Sequence, residues 1–205
     1  MNNISDIPIS VPDDYVWMYR LLARTRALEE VLIIRAGEIP GPTLTGLGQE
    51  VVSVAPLFAL HKLGILEASI KNPDHRTVYG TAVVADEAAQ ELREGAVVDL
   101  LRNYFGRATG GNKGRDGNVH WCSLKHNILG LVSSDMGRAP GIAVGMAEEA
   151  RRLLWRGVSK EKRPITVCFF GDGAAQQGGM HEAKNWVAAS NCRRTEEELL
   201  SIDEQ

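Results

Sequence analysis

The residues best suited to chemistry follow an apolar run near the carboxyl end of the chain. The segment Ile165 to Phe170 is almost continuously apolar, which is typical of a central parallel strand buried on both faces. Gly171-Asp172-Gly173 comes directly after it, and a helical pattern begins near Ala174 or Ala175. The Asp172 carboxylate would lie at the carboxyl edge of a sheet, where the N–H groups of the next helix attract anions. Because Mg²⁺ bridges carboxylate and phosphoryl oxygens, this turn predicts a site for a diphosphate with Mg²⁺.

A Gly-Asp-Gly turn also has a simple structural explanation. In any α/β protein it can be a tight connection whose Asp caps the following helix. A phosphatase-like Mg²⁺ site would need an upstream Asp-x-Asp, and a dinucleotide-binding turn would need Gly-x-Gly-x-x-Gly; the sequence contains neither. The tripeptide alone therefore leaves a diphosphate site and a structural turn as alternatives.

A histidine and an arginine are further candidates. His120 follows the glycine-dense segment Gly106 to Gly117, whose ordering is costly in backbone entropy unless something such as a bound ligand holds it. Taken alone, such a histidine is more often a loop-stabilising hydrogen-bond partner than a catalyst, and Arg76 alone would be a surface charge. His120, Cys122 and His126 lack a fourth ligand and the usual zinc spacing, so we reject a zinc site.

Hydrophobic periodicity predicts that helices position most of these residues. The predicted helices extend from Asp13 or Asp14 to Gly37, from Gln49 to about Leu63, from about Asp86 to Phe105 and from Pro140 to about Trp155. Pro164 precedes the strand described above, and Val78 to Val84 and Ile128 to Ser133 are further candidate strands. Strand, glycine turn and helix together indicate an α/β fold with an open, mostly parallel sheet flanked by helices.

Composition and charge exclude several functions. The 205 residues carry a net charge of −3, with 23 basic and 26 acidic residues, which leaves no basic excess for nucleic acid. The three cysteines form no Cys-x-x-Cys pair, which indicates free thiols in a reducing compartment. The amino terminus lacks the pattern of a signal peptide, and no window is apolar enough to span a membrane. We therefore expect a cytoplasmic chain that binds neither nucleic acid nor membrane.

Several motifs together resemble one known family. GDGAAQQG at residues 171–178, continuing to Glu182, Ala183 and Asn185, resembles the thiamine diphosphate motif of the α subunits of 2-oxo acid dehydrogenases, which include the pyruvate, branched-chain and acetoin enzymes. Other segments occur in the family's order over roughly residues 15–190. They are Tyr19-Arg20 with Arg26 and Glu29-Glu30, GLGQE at 46–50, His75-Arg76, KGRDGNVH at 113–120 and PGIAVGMA at 140–147.

The resemblance implies a thiamine diphosphate-binding fold in which the cofactor supplies the decarboxylation chemistry. His120 matches the family's active-site histidine, which would make it a general acid/base near the 2-oxo acid and the lipoyl group. The residues implied to hold the cofactor are His75, Arg76, Gly171, Asp172, Gly173 and Ala174, with Asp172 as the Mg²⁺ ligand.

The resemblance also implies partners. The reaction would be oxidative decarboxylation of a 2-oxo acid with acyl transfer to lipoamide, which involves a β-type dehydrogenase subunit and a lipoyl-bearing acyltransferase. We therefore expect a hetero-oligomer with a large, obligate interface between the α- and β-type subunits.

The chain departs from the family pattern after about Asn191. The family's motif closes with a hydrophobic strand ending in Asn-Asn, whose second Asn completes the Mg²⁺ shell, whereas Leu200 and Ser201 occupy that place here. We expect an amino-terminal extension at 1–14, a partial thiamine diphosphate-binding domain at 15–190, and a polar tail at 191–205 that is a solvated helix or a loose end. The chain thus resembles a truncated α subunit, and the alternative is a catalytically inactive remnant that keeps only a partner-binding surface.

Overall fold

The computed structural model describes residues 13–88, 95–129, 137–155 and 165–200; the side chains of 153–155 and 191–200 are outside this description. Seven α-helices and two β-strands lie in these ranges. In chain order they are α1 Asp13–Ile34, α2 Glu50–Lys62, β1 Ile70–Asn72, α3 Val78–Ala88, α4 Ala96–Tyr104, α5 Arg138–Trp155, β2 Thr166–Cys168, α6 Asp172–Ala175 and α7 Gly178–Leu200.

Helix α3 is the centre of the amino-terminal half. Nine of its residues are buried, and it packs against α1, α2 and α4. It crosses α2 closely at Gly80, where an added Cβ would overlap the Ser53 hydroxyl and lie 3.0 Å from the Ser53 Cβ. Glycine at this position therefore permits the two helices to approach each other.

Two groups of buried apolar side chains flank α3. One contains Tyr79, Tyr104 and Trp121 and joins α3 to α4 and to the segment around residue 120. The other contains Leu57, Val83 and Phe169 and joins α3 to α2 and to the end of β2. Because α3 contributes to both groups, the helical part and the sheet share one continuous interior.

The two strands form a parallel pair. Ile70 lies opposite Thr166 and Asn72 opposite Cys168, and the Phe169 N–H donates to the Asn72 carbonyl at 2.9 Å. Both strands therefore end at the same edge, which confirms the predicted parallel pairing. The described residues are mostly helical with this small parallel sheet, which is consistent with the predicted α/β class.

Three predicted helices are confirmed and a fourth prediction is wrong. α1, α2 and α5 agree with the predicted segments within a few residues. The single helix expected from Asp86 to Phe105 does not exist, because Gly95 is extended, with φ −66° and ψ 158°, and α4 begins after it. Val78 to Val84, a candidate strand, belongs to α3 instead, because neighbouring helices cover it on several sides and bury it as a helix.

The strand predictions also need correction. All three β2 residues are half-buried, and Ile165 and Phe170 are 44% and 41% exposed, so the expected burial on both faces is wrong. Ile128 makes single bridges to Lys71 and Ser123, while the rest of the candidate strand to Ser133 lies outside the described residues.

The predictions for the chain ends concern residues that are described only in part. The expected tail is helical as far as Leu200. Residues 1–12, 201–205 and Pro164 lie outside the described ranges. Cys122 and Cys168 are free, and the Cys192 side chain lies outside the description.

Candidate functional site

The site residues predicted from the sequence leave the sheet at one edge. His75 and Arg76 follow β1, and Gly171 to Ala174 follow β2 after the same short interval. Because the strands are parallel and in register at Asn72 and Cys168, both segments emerge from their carboxyl ends side by side. This edge is where α/β proteins bind ligands most often.

Arg76 lies in a rigid turn that opens α3. The Asp74 carboxylate accepts hydrogen bonds at 2.9 Å from the N–H groups of Arg76 and Thr77, and the Thr77 hydroxyl accepts one from the Asp74 N–H at 2.9 Å. This reciprocal arrangement satisfies N–H groups that a helix start otherwise leaves unpaired. The Arg76 backbone is fixed while its side chain is exposed, and His75 beside it is half-buried.

The Gly-Asp-Gly turn opens the short helix α6. Gly171 is extended, with φ −81° and ψ 168°, and its carbonyl accepts the Ala175 N–H at 3.0 Å. Asp172 and Gly173 are exposed and Ala174 is buried. A Cβ at Gly171 would meet nothing within 4 Å, so the space beside this turn is open to a ligand.

The donor chemistry of this edge fits a diphosphate with Mg²⁺. Arg76 offers a guanidinium for phosphoryl oxygens, and Asp172 offers one hard carboxylate. Within the described ranges no cluster of three or more His, Cys, Asp and Glu side chains could hold a metal ion. One carboxylate is nevertheless compatible with Mg²⁺, which usually completes its shell with water and phosphate oxygens.

His120 occupies a hydrogen-bonded loop that packs against α4. Its carbonyl accepts a hydrogen bond from the Asn103 side chain at 3.1 Å and another from Asn112. Its ring is 40% exposed, with Nδ1 3.1 Å from a carboxylate oxygen of Asp116. Since an ionised carboxylate can only accept, the tautomer that makes this hydrogen bond carries its proton on Nδ1 and leaves Nε2 as the acceptor. Among the described residues, no hydrogen bond or ion pair links His120 to the Gly171–Ala174 turn.

The loop before α2 connects the two parts of the site. Asn118, two residues before His120, donates to the carbonyl of Pro42. The Tyr79 hydroxyl donates to the Leu44 carbonyl, and the Gly46 N–H donates to Glu29 at 2.5 Å. One short segment, residues 40–46, thus runs from the His120 loop to the start of α2.

The same segment reaches Arg76 through Gly46. A Cβ on Gly46 would overlap the Arg76 carbonyl oxygen and lie 3.0 Å from its carbon. Only glycine permits so close an approach of two backbones here.

Glu29, which the sequence analysis named only as part of a family-like segment and gave no role, is the principal residue that supports the site. It is fully buried, and burial raises its pKa to about 7 against the lowering effect of the Gly46 hydrogen bond. A signal exists in the sequence: Glu29 lies four residues after Thr25 and three before Leu32, both buried, which is the spacing of the inward face of α1. Tyr79 and Tyr104 pair their hydroxyls nearby, and burial raises the pKa of both.

A separate apolar cleft lies beside β2. It has a volume of about 340 Å³ and lies between α5, β2 and α7. Burial raises the pKa of the Cys168 thiol in its wall to about 11, so this cysteine is a neutral thiol at physiological pH. None of the predicted site residues lines this cleft.

Comparison with known proteins assigns the family. The model of the dehydrogenase E1 component matches residues 74–193, a range that includes the His75-Arg76 turn, His120 and the Gly-Asp-Gly turn.

No described helix has both the length and the apolar character that crossing a membrane requires.

Curated relatives agree with this match. The α subunit of acetoin:2,6-dichlorophenolindophenol oxidoreductase from Bacillus subtilis is 28% identical over 86% of this chain and 47% of its own length. The chloroplastic pyruvate dehydrogenase E1 component subunit alpha-3 of Arabidopsis thaliana is 30% identical over 69% of this chain and 29% of its own length. The mitochondrial 2-oxoisovalerate dehydrogenase subunit alpha of Mus musculus is 32% identical over 45% of this chain and 19% of its own length.

The chain therefore spans about half the length, or less, of these relatives. The family model, in contrast, matches more than half of this chain, and its range includes every residue that the sequence analysis singled out for the site. The chain belongs to the dehydrogenase E1 component family.

Proposed function

We propose that this chain is an α-type subunit, or the amino-terminal part of one, of a thiamine diphosphate- and Mg²⁺-dependent 2-oxo acid dehydrogenase. The observation that supports it most directly is the parallel strand pair, which brings the Arg76 turn and the Asp172 turn to one sheet edge. A guanidinium and an exposed carboxylate on neighbouring turns suit a Mg²⁺-bound diphosphate better than either residue alone. Membership of the E1 family supplies the cofactor class.

In this proposal the chain binds and orients the diphosphate end of the cofactor. Thiamine diphosphate, when bound, supplies the electron sink for loss of carbon dioxide from a 2-oxo acid. Arg76 holds phosphoryl oxygens, with His75 beside it. Asp172 would bind Mg²⁺, and the backbone of Gly171, Gly173 and Ala174 would contact the diphosphate.

His120 is the proposed general acid/base. Asp116 accepts the Nδ1 proton and thereby leaves Nε2 as the atom that takes or gives a proton. The exposed ring can reach a substrate, while hydrogen bonds from two asparagine side chains fix its backbone. We therefore assign it to proton transfer at the 2-oxo acid or its acyl product.

The remaining parts of the proposal concern assembly. A β-type subunit would complete the active site, and a lipoyl-bearing acyltransferase would accept the acyl group. The proposed domain is residues 15–190, with a polar tail at 191–205, and the assembly is a hetero-oligomer. The names of the acetoin, pyruvate and 2-oxoisovalerate relatives support a small 2-oxo acid or related carbonyl compound as the substrate class.

The test is a calorimetric titration of thiamine diphosphate and Mg²⁺ into the chain combined with a β-type partner. Asp172→Asn is the test variant. Glu149→Gln is the matched control, since Glu149 is also an exposed carboxylate on a helix and lies outside the segments that resemble the family. We expect saturable binding by the wild type and by the control, and loss of Mg²⁺-dependent binding in Asp172→Asn. Decarboxylation of 2-oxo acids is then assayed on the complex.

Two results would count against the proposal. Equal Mg²⁺-dependent binding by Asp172→Asn and the wild type would show that Asp172 is not the Mg²⁺ ligand. Failure of a folded wild-type chain to bind the cofactor would favour the alternative of an inactive remnant that retains a partner-binding surface.

A further inference from the structure

Helix α1 carries a carboxyl group that has no access to solvent. Glu29 is 0% exposed, and its Oε2 atom accepts the Gly46 N–H at 2.5 Å. Its Oε1 atom is buried and has no hydrogen-bond partner among the described residues, and the same holds for the hydroxyl of Thr43 nearby in the loop. A buried carboxyl group with one unsatisfied oxygen destabilises a fold, whereas an apolar side chain would continue the inward face of α1. The stability of the helix packing therefore does not account for Glu29.

Through the hydrogen bond from Gly46, Glu29 fixes the position of a backbone segment that contacts Arg76. The N–H side of Gly46 is held by Glu29, and its Cα faces the Arg76 carbonyl with no room for a side chain. On the other side, the Arg76 N–H is held by Asp74. The Arg76 backbone is thus confined between the Asp74 cap and Gly46, and Glu29 sets the position of the latter.

Glu50 offers an internal comparison. It holds Gly48, two residues further along the same loop, by a hydrogen bond at 3.1 Å, and it pairs with Arg26. A Cβ at Gly48 would meet nothing within 4 Å, so Glu50 organises the loop without bearing on Arg76. Of the two carboxylates, only Glu29 is connected to Arg76 through a close backbone contact.

We propose that Glu29 is a positioning residue for Arg76 and acts through the Gly46 backbone. The inference rests on the proposed function, in which Arg76 binds the diphosphate. A hydrogen-bond acceptor at position 29 is the required feature, so glutamine can replace glutamate but an apolar residue of similar volume cannot. Small displacements of a phosphate-binding group weaken binding strongly because charge-assisted hydrogen bonds depend on distance and angle.

The experiment compares Glu29→Gln, which keeps an acceptor, with Glu29→Leu, which fills the buried space without one. Glu30→Ala is the control, because Glu30 is the exposed neighbour on α1. The first readout is amide hydrogen exchange at Gly46 and Arg76 in the chain without cofactor. We expect faster exchange at both amides in Glu29→Leu only.

The second readout is the dissociation constant of thiamine diphosphate with Mg²⁺, measured on the complex with the β-type partner. We expect Glu29→Leu to weaken binding about tenfold and Glu29→Gln to stay within about threefold of the wild type. Arg76→Ala weakens binding too, and adding Glu29→Leu to it should change the constant little further. Such non-additivity distinguishes positioning from a general loss of stability.

Either of two results would overturn the inference. One is unchanged exchange at Gly46 and Arg76 in Glu29→Leu. The other is full additivity of Glu29→Leu and Arg76→Ala in the binding constant. If the folded wild type binds no cofactor, the proposed function fails, and exchange at the Arg76 amide alone then decides whether Glu29 positions this residue.

Discussion

The buried carboxyl group of Glu29 makes stability depend on pH in a direction opposite to that of most acidic residues. Its pKa is raised from 4.5 to about 7, with burial as the largest cause. Between these values the folded chain keeps the proton that the unfolded chain has lost. The stabilising effect of the protonated group is complete below pH 4.5 and disappears as the pH rises through about 7.

The size of the effect follows from the shift. At about 1.4 kcal/mol for each pH unit, a pKa raised from 4.5 to about 7 corresponds to about 3.5 kcal/mol. The side chain is fully buried, so solvent screening does not reduce this value greatly. Glu29→Gln has the shape and hydrogen bonding of the protonated acid, and it should remove this dependence.

We therefore expect Glu29→Gln and the wild type to have similar free energies of unfolding at pH 4.5. At pH 8 the variant should be more stable by about 3.5 kcal/mol, or about 7–14 °C in melting temperature for a chain of this length. Urea unfolding of both proteins over this pH range provides the measurement. Glu30→Gln is the control and should leave the pH profile unchanged. A constant difference between Glu29→Gln and the wild type at all pH values would refute the reasoning.

Three further predictions concern backbone contact, burial and hydrogen bonding. Gly46→Ala should lower the free energy of unfolding by about 1–3 kcal/mol, since its Cβ overlaps a neighbouring carbonyl, whereas Gly141→Ala, with open space around it, should not. Burial lowers the pKa of Lys71 to about 8, so the free energy of unfolding should rise with pH between about 8 and 10.5. Lys71→Met should remove that rise. Asp116→Ala should raise the share of the Nε2–H tautomer of His120, measured by the ¹⁵N chemical shifts of the ring.

Each of these predictions has a contradicting outcome. Equal urea midpoints for the two glycine variants would show that the Gly46 contact relaxes freely. A flat profile for the wild type between pH 8 and 10.5 would mean that Lys71 reaches solvent in the folded chain. An unchanged tautomer ratio after removal of Asp116 would show that another group orients the imidazole.

The sequence alone determined where several of the regular elements lie. The three-to-four-residue spacing of apolar side chains located α1, α2 and α5, because such helices expose one face and bury the other. The apolar run before the Gly-Asp-Gly turn located β2 and its parallel character. The motifs in collinear order also indicated the family, because several short patterns in the same order rarely arise by chance, and the family-model match confirms it.

The predictions from the sequence were wrong where tertiary contacts decide the secondary structure. Val78 to Val84 resembles a strand because it is mostly apolar and rich in β-branched residues, and a helix covered on several sides can have the same composition. β1 was missed because three residues that include a lysine and an asparagine carry no strand signal; pairing with β2 makes them a strand. Gly95 divides the expected long helix because its backbone is extended, although neighbouring residues favour helix.

The candidate site shows the same division. The residue types and their motifs pointed to Arg76, His120 and Asp172, since charge and proton chemistry are properties of the side chains themselves. Only the tertiary structure brought the Arg76 and Asp172 turns to one edge, through the register of two strands far apart in the chain. Only the tertiary structure also shows that Glu29 is buried and accepts a hydrogen bond from Gly46. Burial and backbone contact arise only when the chain has folded.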